Sequence, residues 1–470
     1  MQIGDACFRK VLEEAVRHAL SHLETLEKVP VAAFADPQTL RMHFKKPLAA
    51  DGIPADEVIA DLVRGVEGGL LGSAGGRFFA WVIGGSLPAA LAADWLTSAW
   101  DQNAALFACG PAAAVVEEVV GGWLKEILGI PSGASFAFVT GCQMAHATCL
   151  MAARHALLAR SGWNVEERGL YGAPPLRILT SATQHGSFER AIRMLGLGLS
   201  HIVRLPVDSC ERLPPQALEC ALDADPFAPT IVLLQAGEIN TGCFDLFEEL
   251  VPIAKRRSAW VHIDGAFGLW AAASPKYRHL LAGAAAADSW ATDGHKWLNV
   301  PYDCAYAFVI DTEAHRAAMS HREPYLIHAA AARDQIDWNP EWSRRARGFS
   351  TYAALRQLGR NGIGELVERC CRHAHRLVME ISHLRGAEML WKPILNQGLV
   401  CFPHSAPGAS DSEHDRRTDE IIAAINATGE AFFSGTTWRG RRAMRVSVCN
   451  WCTTEADVQR TVSAVAKALG

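Results

Sequence analysis

Trp260-Val-His-Ile-Asp264-Gly-Ala-Phe-Gly268 and, a little further on, Asp288-Ser-Trp-Ala-Thr-Asp-Gly-His295-Lys296-Trp297 decide how this chain folds. Each is a short apolar run that ends abruptly in chemistry: the first in a carboxylate, the second in Asp, Gly, His and a single lysine. Such runs read as buried strands that deliver polar groups to one rim of a sheet. A lysine amine condenses with an aldehyde only when neutral, and burial against Trp297 is expected to disfavour the ammonium form and prime a nucleophile. An acid brought up by a neighbouring strand can keep the nitrogen of a pyridine ring protonated. Taken singly, Lys296 reads as a surface lysine and Asp264 as the start of a turn. Together they point to pyridoxal 5'-phosphate (PLP), with Lys296 as its Schiff-base site.

Working outward, strand candidates at Ser135–Thr140, Arg177–Ser181, Ile202–Val207, Thr230–Gln235, Trp260–Ile263, Ser289–Thr292 and Ala305–Ile310 alternate with helical patterns such as Gln143–Arg160, Ser187–Leu197 and Leu246–Lys255. That alternation predicts an α/β fold whose mostly parallel, seven-stranded sheet is covered by helices on both faces. Ligands of such sheets sit beyond the carboxyl ends of the strands. The segments ending at Gly141, His185, Gly237, Asp264 and Lys296 converge there. Residues 1–129 read as an alanine-rich helical segment, 130–345 as the large domain and 346–470 as a small C-terminal α/β domain. The last contains a long helix at Gly348–Arg385, strands near Leu399–Phe402 and Ala443–Val448, and a helix at Glu455–Leu469. Its polar run Ser410-Asp-Ser-Glu-His-Asp-Arg-Arg417 reads as a solvated loop.

Composition fits an ordinary globular enzyme: 470 residues, 50% hydrophobic, 20% charged, formal net charge -5. The absence of a long basic run argues against nucleic acid or an anionic membrane as partner, which leaves a small-molecule substrate. The start, Met1-Gln-Ile-Gly-Asp-Ala-Cys7, has no basic region followed by an apolar segment, and Phe78–Ala93 is short and broken by Gly84, Gly85 and Pro88, so a soluble, cytoplasmic protein is expected. The 13 cysteines show no framework spacing and are expected to be reduced thiols. Cys449-Asn-Trp-Cys452 has redox or half-zinc-site spacing, but no second pair accompanies it, and no metal site is expected.

The two opening motifs, with Gly76-Arg-Phe-Phe-Ala-Trp81 before Ser86-Leu-Pro88, Val139-Thr-Gly141-Cys-Gln143 and Thr183-Gln-His185-Gly-Ser-Phe-Glu-Arg190, resemble the group II PLP-dependent amino-acid decarboxylases, which include the aromatic amino acid and glutamate decarboxylases. The resemblance covers about residues 30–465; the His-Lys-Trp motif is its specific part. It implies the PLP-dependent transferase-like fold (fold type I), an amino-acid substrate, decarboxylation through a Lys296 Schiff base and a quinonoid intermediate, and a homodimer whose N-terminal helices exchange between subunits.

For the site, the strand-to-helix turn Gly141-Cys142-Gln143 offers backbone N–H groups and a helix dipole to the PLP phosphate; an ordinary turn is the alternative. The family usually has a richer Gly/Ser/Thr loop with an Asn further along, where this chain has Cys142, Gln143, Met144 and His146. By resemblance His185 stacks on the pyridine ring, with helix capping as its alternative, and Asn240 and Thr241 lie along the ring edge. Ala266, Asp293 and His295 complete the expected cofactor contacts, although His295 reads equally as buried packing. Phe79 and Trp81 are candidate substrate-pocket residues, and Arg439, Arg441, Arg442 or Arg445 could meet a substrate carboxylate.

In the resembling decarboxylases a loop tyrosine returns a proton to Cα. The corresponding stretch here, Ala332-Arg-Asp-Gln-Ile-Asp-Trp338-Asn-Pro-Glu-Trp342, contains none. His328, Asp334, Asp337 and Tyr325 are alternative acids. Without an efficient acid, oxidative decarboxylation to an aldehyde is the second reading, which a tyrosine placed at Gln335 or Ile336 would reverse. A catalytically inactive PLP-binding regulatory protein is the third.

Overall fold

The structure, a computed structural model, describes residues 8–321 and 332–470. Strands β1 (Ser135–Val139), β2 (Arg177–Ser181), β3 (Ile202–Leu205), β4 (Thr230–Gln235), β5 (Trp260–Asp264), β6 (Ser289–Asp293) and β7 (Ala305–Val309) form one sheet in the order β1-β7-β6-β5-β4-β2-β3. Every residue of β1, β4, β5, β6 and β7 is buried, which is why these strands read as continuous apolar runs rather than as alternating ones. The side chains nonetheless alternate between two cores: Phe136 and Phe138 face one, Ala137 and Val139 the other.

One strand breaks the parallel pattern. β7 runs antiparallel to both β1 and β6 because the connection from Asp293 to Ala305 is too short to hold a crossover helix. That short return carries Lys296. The helix Cys142–Arg160 crosses the sheet behind the site and is buried along much of its length.

Helices Phe8–Thr25, Pro37–Phe44, Ala55–Gly65, Pro88–Trp100 and Pro111–Leu128 make up the N-terminal part. After the large sheet, helical residues span Gly348–Ser382, with a break at Gly359, whose φ of 60° and ψ of 177° only glycine adopts readily. A second sheet follows: β8 (Glu388–Trp391), β9 (Gln397–Cys401), β10 (Ser434–Trp438) and β11 (Arg441–Ser447), antiparallel throughout in the order β10-β11-β9-β8. β8 and β10 were not foreseen; they are short and only partly buried, so their sequences carry little alternation.

The polar run 410–417 is not a loop. It opens the helix Asp411–Ala427, and Ser410 and Glu413 cap it reciprocally in a capping box. The apolar residues that anchor this helix, Ile421, Ile422 and Ile425, come only in its second half. Among the described residues no helix is long and apolar enough to cross a membrane, and their cysteines are free, Cys449 and Cys452 included.

Candidate active site

Lys296 lies three residues beyond β6, with its Nζ 2.9 Å from Oδ2 of Asp293, the last residue of that strand. The other Asp293 oxygen accepts the Cys142 N–H at 2.7 Å. Burial alone would lower the Lys296 pKa, but Asp293, with smaller contributions from Cys142 and Asp264, holds it above the ordinary lysine value. The expectation of a neutral amine is therefore corrected: the carboxylate outweighs desolvation.

Asp264, at the end of β5, is 7% exposed. Its Oδ1 accepts the Ala266 N–H at 3.1 Å, and its Oδ2 lies 3.4 Å from His146 Nε2. Burial would raise its pKa; the charge and hydrogen bond of His146 reverse this and leave it well below the usual carboxylate range.

His185 is solvent-exposed at the N-cap of the helix Gly186–Met194, and its Nδ1 accepts the Ser187 N–H at 3.3 Å. Capping is thus realised, while Asp264 and Lys296 both remain within electrostatic reach of the ring. His295 accepts the Cys304 N–H on Nδ1, keeps Nε2 3.5 Å from Asp293 and stacks on Tyr302 with ring centroids 4.3 Å apart.

Several expectations change in detail. The Cys142 N–H is committed to Asp293, and the Met144 and Ala145 amides donate to the Gly141 carbonyl, so this turn has fewer N–H groups left for an anion than its sequence suggests. The Cys142 thiol points instead toward Asp264, at 4.0 Å. Asn240 and Thr241 turn back onto the buried Glu238: both backbone N–H groups, the Asn240 amide and the Thr241 hydroxyl all donate to it. Phe79 is fully buried and stacks on Phe433, so it belongs to the core rather than to a pocket. Trp81 is 47% exposed beside Phe78 and Phe432.

Of the four arginines, Arg439 pairs with Glu211, Arg441 with Glu388 and Arg442 with Asp419. Arg445 is buried with no hydrogen-bond partner on Nε, within electrostatic reach of Glu238 and His185. The stretch after residue 331 is docked. Asp334 accepts the Phe107 N–H, Asp337 accepts from Ser320 and Arg316, and Gln335 and Ile336 are buried. Asp334 and Asp337 are therefore structural anchors, and a tyrosine at 335 or 336 would enter the core. Tyr325 and His328 lie outside the described residues.

Sequence reasoning missed Gly84, Tyr302 and His262, and gave His146 no role. A Cβ on Gly84 would sit 1.9 Å from the Lys296 carbonyl oxygen, so the N-terminal segment presses its backbone against the lysine turn. The doubled Gly84-Gly85 was the available signal; the histidines had none.

The donor set fits PLP. It offers an amine, an imidazole, a carboxylate with acceptor capacity beyond His146 and the Ala266 N–H, and a buried guanidinium with an orphaned N–H.

Tryptophan decarboxylase 1 of Oryza sativa subsp. japonica is 27% identical over 94% of this chain and 89% of its own length. Phenylacetaldehyde synthase of a Rosa hybrid cultivar is 24% identical over 96% and 91%. The crystal structure of Oryza sativa TDC with PLP and tryptamine superposes with a TM-score of 0.92 at 24% identity, covering 100% of this chain and 99% of that one, and so carries the same fold, type I. The model of the pyridoxal-dependent decarboxylase conserved domain matches residues 37–405, and with that match the chain belongs to the PLP-dependent amino-acid decarboxylases.

Proposed function

We propose that this enzyme decarboxylates aromatic L-amino acids, with Lys296 as the covalent attachment point for PLP. The observation that carries the reading is the Lys296–Asp293 pair set beside the buried Asp264. The half-exposed Trp81, next to Phe78 and Phe432, supplies aromatic surface, in keeping with the substrate named for the rice relative.

Lys296 becomes nucleophilic only by giving up a proton, and the Asp293 carboxylate, 2.9 Å from Nζ, is placed to accept it. Asp264 would keep a proton on the cofactor's ring nitrogen, His185 would lie against the ring, and the Gln143 end of the Gly141 turn would receive the phosphate. Bound there, PLP supplies a protonated pyridine that withdraws the electron pair left as CO2 departs. Arg445 offers its free N–H to the substrate carboxylate. Tyr302, stacked on His295 and within electrostatic reach of Lys296, is the phenol we assign to return a proton to Cα.

A second reading, aldehyde formation with consumption of oxygen, is favoured by the missing tyrosine in Ala332–Trp342 and by the name of the rose relative. We further propose a homodimer joined through the helix Phe8–Thr25, which has no buried residue. The free thiols support a reducing, cytoplasmic setting.

The test is to incubate the PLP-loaded enzyme with a panel of amino acids under air, scoring CO2, amine, aldehyde, ammonia, peroxide and oxygen uptake. Amine without oxygen uptake supports the first reading; aldehyde with peroxide and ammonia supports the second. Borohydride reduction followed by peptide mapping should find the phosphopyridoxyl group on Lys296. An adduct elsewhere, or none, overturns the assignment.

A further inference from the structure

Behind Asp264 runs a chain of buried hydrogen bonds. The Trp260 indole N–H donates to Ser289 Oγ at 2.9 Å, Ser289 Oγ lies 2.9 Å from His262 Nδ1, and His262 Nε2 lies 2.9 Å from His146 Nδ1. His146 Nε2 then reaches Asp264 Oδ2 at 3.4 Å. Ser289, His262 and His146 are fully buried. The geometry follows from the sequence. His262 and Asp264 are two apart on β5 and share a face, Ser289 is the register partner of His262 on β6, and His146 stands one turn into the helix that covers them. Phe188 closes the group off, stacked on His262 and edge-on to His146.

His146 donates to Asp264 in either protonation state, and with a neutral His146 ring the whole chain has one self-consistent direction. An ionised Asp264 only accepts, so His146 donates from Nε2 and, as a neutral ring, accepts on Nδ1. His262 must then donate from Nε2 and accept on Nδ1, which the Ser289 hydroxyl satisfies while its oxygen accepts from the donor-only indole. The reverse order would set the His146 Nε2 lone pair against a carboxylate. The other groups facing Asp264 are the Cys142 thiol from the same helix, the Ala266 N–H, His185, and the charge of Lys296. Among these neighbours His146 is the side chain that faces Oδ2, and its Nε2 also lies 3.6 Å from the Cys142 Sγ.

We propose that His146, backed by His262 and Ser289, is a positioning residue that keeps Asp264 ionised and aimed at the cofactor ring nitrogen. This deepens the reading of Asp264 given above and rests on it. PLP affinity and the charge state of the ring are then governed from a buried histidine pair that touches neither cofactor nor substrate.

The experiment compares the PLP-loaded wild type with His146→Leu, His146→Asn, His262→Leu, Ser289→Ala and Asp264→Asn. It measures the PLP dissociation constant and the visible absorption band between about pH 5 and 9. The wild-type band should not move. In His146→Leu the dissociation constant should rise about 10- to 100-fold, the scale of a lost hydrogen bond to a charged group, and the band should titrate. His146→Asn, which retains a donor, should recover much of both. His262→Leu and Ser289→Ala should shift both readouts in the same direction by less, and adding His262→Leu to His146→Leu should cost little more, since both act through one chain. Wild-type affinity and a fixed band in the histidine variants, with both altered in Asp264→Asn, would reject the relay and keep the Asp264 assignment. No change in Asp264→Asn would reject the assignment itself. If His146→Leu does not fold, Ser289→Ala decides, and an unshifted band there counts against the relay.

Discussion

Desolvation drives the Lys296 amine toward neutrality, and the Asp293 carboxylate 2.9 Å away drives it back. Removing that carboxylate leaves burial in control. In Asp293→Asn the pH midpoint for acylation of Lys296 in the PLP-free protein should therefore fall relative to wild type, read by peptide mapping of a lysine-directed reagent. An unchanged or higher midpoint would mean that Asp293 serves only the Cys142 amide. At this scale the sequence was legible where a residue ended an apolar run: Lys296, Asp264, Asp293 and His295 all sit at or just past strand ends. His146 and His262 were not, because a histidine inside an apolar helix or strand has the same pattern whether it packs inertly or meets a partner. Only the register of β5 on β6 brings Ser289 to His262.

Among the elements, the close approach of Gly84 to the lysine turn makes the sharpest demand. Its ideal Cβ would meet the Lys296 backbone oxygen at 1.9 Å, and backbone cannot swing aside as a side chain can. Gly84→Ala should therefore push the turn away from Asp293 and sharply reduce the fraction of chains carrying PLP, measured as bound cofactor absorbance per protein. Full occupancy would show that the N-terminal segment yields instead. The seven strands of the large sheet were readable because burial on both faces leaves uninterrupted apolar runs. The helix Asp411–Ala427 was not, since its charged first half resembles a loop, although its Ser410 and Glu413 spacing was a capping signal in plain view.

For the whole molecule, acid should unfold the protein through its buried neutral histidines. Burial, with smaller contributions from neighbours, lowers the pKa of His262 and of His315 from 6.5 to about 3. Between those values the unfolded chain binds protons that the folded chain refuses, so stability present above pH 6.5 is lost as the pH falls toward 3. Urea midpoints should decline over that window, and less steeply in His315→Gln; a flat profile would contradict the burial argument. The proposed homodimer turns on the helix at the start of the chain. The helix Phe8–Thr25 carries Phe8, Leu12, Val16, Leu20 and Leu23 at spacings of four and three, which places them on one face, yet they are 37–78% exposed. A helix of 18 residues gains little stability without burying such a face, and a second copy of the same chain offers the matching stripe. Replacing Leu12 and Leu20 together by glutamate keeps helix propensity while charging the stripe. Light scattering after size exclusion should find two chains per particle for the wild type and one for the double variant. A wild-type monomer, or a double variant that stays dimeric at micromolar concentration, would remove this helix from the interface.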